Sequence, residues 1–158
     1  MKRKILAIAL SLALLSSLFV FAVPVSASPP QTLSGNFSGP GAVITGVRFA
    51  NGNMFMIYTS VHTLTGDIEG DIVSQGSGVL HPNGEWNMAS TGTFTGSFNG
   101  AEGTADYVLN LRGTYPFYSG KMIFSGGTGE LANLHAVVTA DGGSGVLGTY
   151  TGKYHLDP

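Results

Sequence analysis

The densest group of candidate metal ligands in the sequence is the segment Asp67-Ile-Glu-Gly-Asp71, which has carboxylates at alternate positions. In an extended strand, residues two apart face the same side of the sheet, so Asp67, Glu69 and Asp71 would present several oxygen atoms together. Hard cations such as Ca²⁺ bind through several oxygen ligands, but the spacing differs from that of known calcium loops. We therefore interpret the segment as the solvated face of a strand after a turn. We predict no metal, and keep the three carboxylates as weak candidates.

Three side chains are weak candidates for acid–base catalysis: His62, Arg112 and Glu130. His62 shares its alternation phase with Tyr58 and Leu64, so it should point inward, and a hydrogen-bonded core residue is favoured over a cavity base. Glu130 follows a glycine-dense corner, where a carboxylate that caps backbone N–H groups is favoured over a general acid or base. The four histidines form no close pair along the sequence, and no hydrolase, zinc-protease or nucleotide-binding motif occurs. We predict no cofactor and favour a protein that is not an enzyme.

Aromatic residues could line a cavity, because their alternation with polar residues predicts that they face the interior of a curved sheet. We name six as candidate ligand contacts: Tyr58, Trp86, Phe94, Tyr107, Tyr150 and Tyr154. The alternative is that they only fill the interior, because a small barrel needs aromatic bulk in any case.

The elements that must position these side chains are β-strands. β-branched and aromatic residues dominate between glycine-rich turns, and polar and apolar residues alternate with period two. Asn-Gly pairs at 51–52, 83–84 and 99–100 are typical of tight hairpin turns. The predicted strands are 32–49 (broken at 39–41), 54–65, 68–80, 85–98, 102–114, 118–125, 132–140 and 146–156. We expect an all-β, lipocalin-like antiparallel meander without substantial helix, closed into an eight-stranded barrel that leaves no exposed edges.

The first 27 residues have the three parts of a secretory signal peptide. These are basic residues at 2–4, an apolar run over 5–23, and a small-residue cleavage site, Val25-Ser-Ala27. A retained membrane anchor is the alternative, because the run is about long enough to span a bilayer. Cleavage is favoured, so we expect no stable membrane insertion and a single secreted, extracellular domain over 28–158. Residues 28–41 are a candidate loose N-terminal arm.

The composition of this domain limits the classes of partner that it is expected to bind. The seven basic residues of the chain include Lys2, Arg3 and Lys4, so the domain keeps four against nine acidic residues, a formal net charge of −5. Binding to phosphate backbones depends on clustered cations, so nucleic acid is not expected as a partner. Cysteine is absent, so the domain cannot depend on disulfides for its stability.

Four segments resemble a family of small bacterial proteins known only as a domain of unknown function. They are Leu64-Thr-Gly-Asp-Ile-Glu-Gly70, Gly92-Thr-Phe-Thr-Gly-Ser-Phe98, Gly126-Gly-Thr-Gly-Glu-Leu-Ala-Asn-Leu134 and Gly148-Thr-Tyr-Thr-Gly-Lys-Tyr-His-Leu-Asp157. That family is similar in fold to the allene oxide cyclase-like barrels, which include the plant dirigent proteins. The resemblance, which covers roughly residue 54 onward, implies an eight-stranded antiparallel barrel with a central cavity, a small apolar ligand and a homotrimer. It transfers no catalytic residue to this sequence.

Three functional hypotheses follow. The favoured one is a secreted barrel that binds a small apolar or aromatic molecule without converting it. The second is an isomerase or cyclase of the allene oxide cyclase type, which needs at least two polar residues converging in the cavity. The third is an extracellular structural or interaction module, which the Thr/Ser/Gly-rich outer faces favour.

Overall fold

The computed structural model of the protein describes residues 29–143 and 147–157. Eight strands, each antiparallel to the next, follow one another around a closed barrel, and the first pairs with the last. They are β1 (Gln31–Ala50), β2 (Asn53–Gly66), β3 (Ile68–Leu80), β4 (Glu85–Phe98), β5 (Ala101–Thr114), β6 (Phe117–Gly129), β7 (Leu134–Gly143) and β8 (Leu147–Leu156). No helix occurs among the described residues, so the predicted all-β, eight-stranded antiparallel barrel is confirmed.

The predicted signal peptide, residues 1–27, lies outside the described part of the chain. Within residues 29–143 and 147–157, no helix has the length and apolar character needed to cross a membrane.

The predicted strand bounds agree closely with the structure except at the glycine-dense segment. The glycine-dense segment predicts a tight corner at Gly126, Gly127 and Gly129, but β6 runs through all three with positive φ values of 60°, 117° and 64°. The register with β5 shifts at this point, and a Cβ on Gly127 would collide with the carbonyl oxygen of Thr104. The glycines therefore form an irregularity at which β6 bends against β5, and the turn follows at 130–133.

The Asn-Gly pairs form two kinds of hairpin turn. Asn51 and Asn99 have φ values of 51° and 48° and are followed by glycines with positive φ, as a type I′ turn requires. At the third pair, the glycine Gly84 has a positive φ of 83°, and its N–H donates to the carbonyl of His81. Here Pro82 fixes the first central position of the turn at negative φ, and four residues, 81–84, separate the strands instead of two.

Alternation places the core as predicted. On β4, β5 and β8, the apolar alternate residues face inward and most of the intervening residues are exposed. The buried side chains of these and the neighbouring strands form one continuous cluster inside the barrel. A small domain without disulfides gains most of its stability from such apolar burial.

Strand β1 has two halves with different neighbours. Residues 31–38 pair with both β2 and β8, which closes the barrel. After a register shift between Ser38 and Gly41, β1 continues to Ala50 against β2, and among the described residues it has no partner on its other side. The predicted break at 39–41 is this shift, at a proline that cannot donate a ladder hydrogen bond. The segment considered as a loose arm is thus largely part of the sheet from Gln31 onward.

Candidate ligand cavity at the open end of the barrel

The two ends of the barrel interior differ in how well side chains fill them. At the end where β4 turns into β5, the rings of Phe94, Phe98 and Phe124 contact one another edge to face, with centroids 5.2 to 5.6 Å apart. Leu131 and Leu134, from the turn after β6 and the start of β7, are fully buried in the same cluster. We call this end the closed end, because packed side chains occupy it.

Three of the six candidate ligand contacts, Phe94, Tyr150 and Tyr154, lie in the core of the closed end. The Tyr150 hydroxyl accepts a hydrogen bond from the Ile68 backbone N–H at 2.8 Å and lies 3.2 Å from the carbonyl oxygens of Thr65 and Ile68. Tyr154 makes hydrogen bonds to side chains at the rim of this end. These tyrosines therefore hold strands together, away from the cavity described next.

The opposite end, which we call the open end, contains a cavity of about 230 Å³. Side chains of Tyr58, His62, Trp86, Met88, Leu111 and Tyr118 form much of its wall. A smaller void of about 40 Å³ adjoins it on the inner side and is bounded by Phe37 and Tyr107. Gly41 and Gly143 border the cavity where β1 has separated from the β7–β8 side. The departure of β1 from β8 thus helps to shape the cavity mouth.

The other three candidate contacts, Tyr58, Trp86 and Tyr107, line this cavity or the adjoining void. Trp86 is held at the rim, since its Nε1 donates to the carbonyl oxygen of Phe117 at 3.2 Å. Its ring meets the ring of Tyr118 edge to face, with centroids 5.7 Å apart. Half of the six candidate residues therefore line the cavity, and the sequence did not distinguish them from the half that packs in the closed end.

Buried hydroxyl groups supply the polar part of the interior. The Tyr58 hydroxyl donates to a backbone carbonyl of β4 at 3.3 Å, and the Ser60 and Ser74 hydroxyls bond to each other at 2.9 Å. Burial raises the pKa of Tyr58 and Tyr107 by more than the adjacent Ser90 hydroxyl lowers it. Both phenols therefore keep their protons near neutral pH.

Of the three acid–base candidates, His62 reaches the cavity. Its ring packs edge to face against Phe37 at 6.4 Å, and its Nδ1 is buried without a hydrogen-bond partner among the described residues. Burial lowers the pKa of His62, so the imidazole is neutral at pH 7. The expected core histidine is thus part of the cavity wall, and the hydrogen bond expected for it is missing from the described part of the chain.

The structure does not bring His62, Arg112 and Glu130 together. Arg112 is exposed near the open end of β5, whereas the Glu130 Oε2 accepts a hydrogen bond from the Glu102 backbone N–H at the closed end, at 2.9 Å. Arg112 and Glu102 lie toward opposite ends of β5, roughly 33 Å apart at about 3.3 Å per residue. Glu130 therefore caps a backbone N–H, as was favoured, but on the neighbouring strand rather than in its own turn.

The three carboxylates have separate surroundings. The Asp67 Oδ2 accepts hydrogen bonds from the Ser34 backbone N–H at 2.7 Å and the Ser34 hydroxyl at 3.1 Å, which fastens the β2–β3 connection to β1. The Asp71 Oδ1 accepts one from the Thr63 hydroxyl at 2.7 Å, and Glu69 is exposed. Among the described residues, these side chains do not converge into a group that could hold an ion.

Several cavity residues were not predicted from the sequence, namely Ser60, Met88, Leu109, Leu111 and Tyr118. Tyr118 had a usable signal, because it shares its alternation phase on β6 with the buried residues Met122 and Phe124. No comparable signal distinguishes a residue at the open end from one in the packed core of the same strand.

The sequence matches no protein-family profile and no curated protein. The fold is similar to the crystal structure of a DUF3224-family protein of unknown function from Shewanella oneidensis MR-1, with a TM-score of 0.65 and 14% identity over 82% of this chain and 99% of that chain. It is also similar to a protein of unknown function from Clostridium acetobutylicum, with a TM-score of 0.50 and 11% identity over the same shares. At these identities the similarity shows the fold alone. It is consistent with the resemblance to a domain of unknown function.

Proposed function

We propose that the protein binds a small, uncharged, mostly apolar molecule in the cavity at the open end of the barrel. The observation that carries the proposal is the buried His62 Nδ1 without a described partner, on a ring that lines a mostly apolar and aromatic cavity. Native proteins leave few buried polar atoms unbonded. Small-molecule sites typically combine apolar walls with a few placed polar groups.

The size of the cavity limits the ligand. An apolar cavity of about 150 Å³ accommodates benzene, so a cavity of about 230 Å³ suits a molecule on the order of ten non-hydrogen atoms. This is below the volume of about 300 Å³ and more that is usual for drug-sized ligands. The expected ligand has one or two rings rather than a long chain.

The charge of the wall also limits the ligand. No Lys, Arg, Asp or Glu is among the described residues that line the cavity and the adjoining void. A charged group placed there would lose its hydration without gaining a counter-charge, which costs several kcal/mol. A hydroxyl or carbonyl group could instead bond to the neutral His62 ring or to a phenol.

An isomerase or cyclase of the allene oxide cyclase type is the second candidate. The position of His62 near the protonated phenols Tyr58 and Tyr107 favours it, since these groups can move or hold a proton beside a bound ring. Arg112 and Glu130 take no part in this arrangement. As this second candidate, we propose both a relation to the allene oxide cyclase-like barrels and an isomerase or cyclase activity.

Export and assembly complete the proposal. The signal peptide places the domain outside the cell after cleavage beyond Ala27, where a small apolar molecule would be captured from the medium. A homotrimer or a wider interaction role has support in apolar side chains on the outer face, such as Val73 and Val137, which are 61% and 50% exposed. We expect no role for nucleic acid.

Fluorescence of Trp86 tests ligand binding directly, because this residue is the only tryptophan of the chain and lines the cavity. We expect menthol, a neutral ring alcohol that does not absorb near 280 nm, to change the emission and raise Tm. Decanoate, which is charged, should do neither. Native mass spectrometry of protein from its host's own medium would identify the natural ligand. A clean unliganded mass together with no response to menthol would refute the proposal.

A matched pair of variants locates the site. Ala42→Phe adds a ring at the cavity wall, and Ala89→Phe adds the same ring on the exposed outer face of β4. We expect the first change to weaken menthol binding at least tenfold and the second to leave it unchanged. Equal affinities in the two variants would place the ligand elsewhere. If His62→Gln abolished conversion of an identified ligand and retained its binding, the enzymatic alternative would be favoured.

A further inference from the structure

Two histidines distant in the sequence lie side by side on the outer face of the closed end. His135 on β7 is directly opposite His155 on β8, and their rings stack with centroids 5.1 Å apart and planes inclined by 18°. Asp157 follows at the end of β8, and its two carboxylate oxygens face one ring each. The His135 Nε2 is 3.5 Å from Oδ2, and the His155 Nε2 is 3.7 Å from Oδ1.

These distances suit a shared ion better than direct hydrogen bonds. An N–H···O hydrogen bond usually measures about 2.7 to 3.2 Å, which is shorter than both. Two ligand atoms each about 2.0 to 2.1 Å from a tetrahedral Zn²⁺ are about 3.4 Å from each other. One ligand atom from each of the three residues lies within 4.8 Å of the others. Because the two rings are nearly parallel, they would have to rotate so that their in-plane nitrogen lone pairs converge on one ion.

The backbone around the cluster is well supported. Leu134, next to His135, pairs with Leu156 and is fully buried in the closed end. The Asp157 backbone N–H donates to the Asn133 carbonyl oxygen at 3.2 Å, which fixes the chain just beyond β8. The side chains themselves are accessible, with exposed fractions of 56% for His135, 34% for His155 and 43% for Asp157. An ion from solution can therefore reach the three ligand atoms.

The donor set selects the class of metal. Imidazole nitrogen suits Zn²⁺, Cu²⁺, Ni²⁺ and iron, whereas Ca²⁺ and Mg²⁺ prefer all-oxygen surroundings. Three protein ligands on an exposed surface leave at least one coordination position for water or another molecule.

We propose that His135, His155 and Asp157 bind one divalent transition-metal ion on the outer face of the barrel. The site joins β7 to the segment just beyond β8 and lies at the opposite end from the ligand cavity. It is therefore independent of the proposed function.

Isothermal titration calorimetry of the protein without an affinity tag tests the site, with ZnCl₂ as the probe and MgCl₂ as the hard-cation comparison. We expect one Zn²⁺ per chain and no measurable Mg²⁺ binding. His135→Gln, His155→Gln and Asp157→Asn should each weaken Zn²⁺ binding at least tenfold, and H135Q/H155Q should abolish it. All three side chains are at least one-third exposed, so circular dichroism should show native folding in every variant.

Two matched control variants remove a histidine and a carboxylate that lie outside the proposed site. His81→Gln deletes a histidine near the open end, and Asp141→Asn deletes an exposed carboxylate on β7. Both should keep the affinity of the unaltered protein. The proposal is overturned if the unaltered protein binds no Zn²⁺, or if H135Q/H155Q binds it as tightly as the unaltered protein. If the double variant failed to fold, Asp157→Asn would be compared with Asp141→Asn. Equal Zn²⁺ affinities in these two variants would overturn the proposal.

Discussion

The hydroxyl of Tyr150 should contribute far more to stability than that of Tyr154, although both residues are buried on the same face of β8. The Tyr150 hydroxyl accepts a hydrogen bond from the backbone N–H of Ile68, a residue with no exposed surface. Tyr150→Phe removes that acceptor and leaves the N–H of Ile68 unbonded in the interior. An unsatisfied buried group costs about 1 to 3 kcal/mol, so we expect a loss of about 2 kcal/mol in the free energy of unfolding.

Tyr154→Phe is the matched control. Its hydroxyl bonds to the side chains of Gln31 and Asn99, both of exposed residues that can bond to water once the hydroxyl is gone. The expected loss is therefore about 0.5 kcal/mol or less. The two variants delete the same atom four residues apart on one strand, so the difference between them isolates the effect of the partner.

Urea unfolding followed by circular dichroism, with calorimetry alongside, measures the difference. For a domain of this size, a loss of about 2 kcal/mol lowers Tm by roughly 6 to 8 °C. The urea midpoint should fall in Tyr150→Phe with little change in the slope m, because the surface exposed on unfolding stays the same. Equal midpoints in the two variants would show that the Ile68 N–H finds another partner, and the reasoning would be wrong.

Three further predictions concern backbone clearance, titration and capping. Gly35→Ala should destabilise the barrel by about 2 kcal/mol or more, because its Cβ would collide with a carbonyl oxygen of β2. Gly46→Ala in the same strand meets only ordinary contacts and should be neutral or slightly stabilising in urea unfolding. The folded-state pKa of His62 lies below its unfolded value of about 6.5, because burial disfavours the charged imidazolium. The neutral imidazole is therefore fully compatible with the folded state above about pH 6.5, and stability is lost as the pH falls from there toward the folded-state pKa. His62→Gln should reduce the drop in Tm between pH 7.5 and 5, and an equal drop would contradict this. Glu130→Ala should cost about 1 kcal/mol by freeing the Glu102 N–H, whereas Glu130→Gln keeps an acceptor oxygen and should cost less; equal losses in urea unfolding would point to the charge instead.

Most of the fold could be predicted from the sequence because its determinants are local. Period-two alternation fixes which residues face the core, and turn residues fix where strands end. The prediction failed in detail where two strands interact. The sequence predicts a corner at the glycines of 126–129, but their positive φ values accompany an irregular pairing with β5. That pairing depends on a strand more than twenty residues away, which local patterns do not reveal.

The position of the cavity could not be predicted from the sequence. Alternation predicts whether a side chain faces into or out of the barrel, but it does not predict the depth of that side chain along the barrel axis. Alternation predicts that both Tyr58 and Tyr154 face inward, yet Tyr58 lines the cavity and Tyr154 packs in the closed end. The depth of a residue depends on strand stagger and on where β1 leaves β8, and both are properties of the whole barrel. His135 and His155 are opposite each other because the register of β7 and β8 pairs Gly142 with Gly148, whereas the predicted strands 132–140 and 146–156 centre the hairpin two residues earlier.

The seam between β1 and β8 has a consequence for how the chain reaches this fold. Every other strand pair forms across a short connection, but the seam joins residues such as Gln31 and Tyr154, which are 123 positions apart. Closing a loop of that length costs about 3 kcal/mol more in chain entropy than closing a five-residue hairpin. We expect the seam to form last, after a meander with two unpaired edges. During that interval each edge can pair with another chain, so the yield of refolded monomer should fall as protein concentration rises.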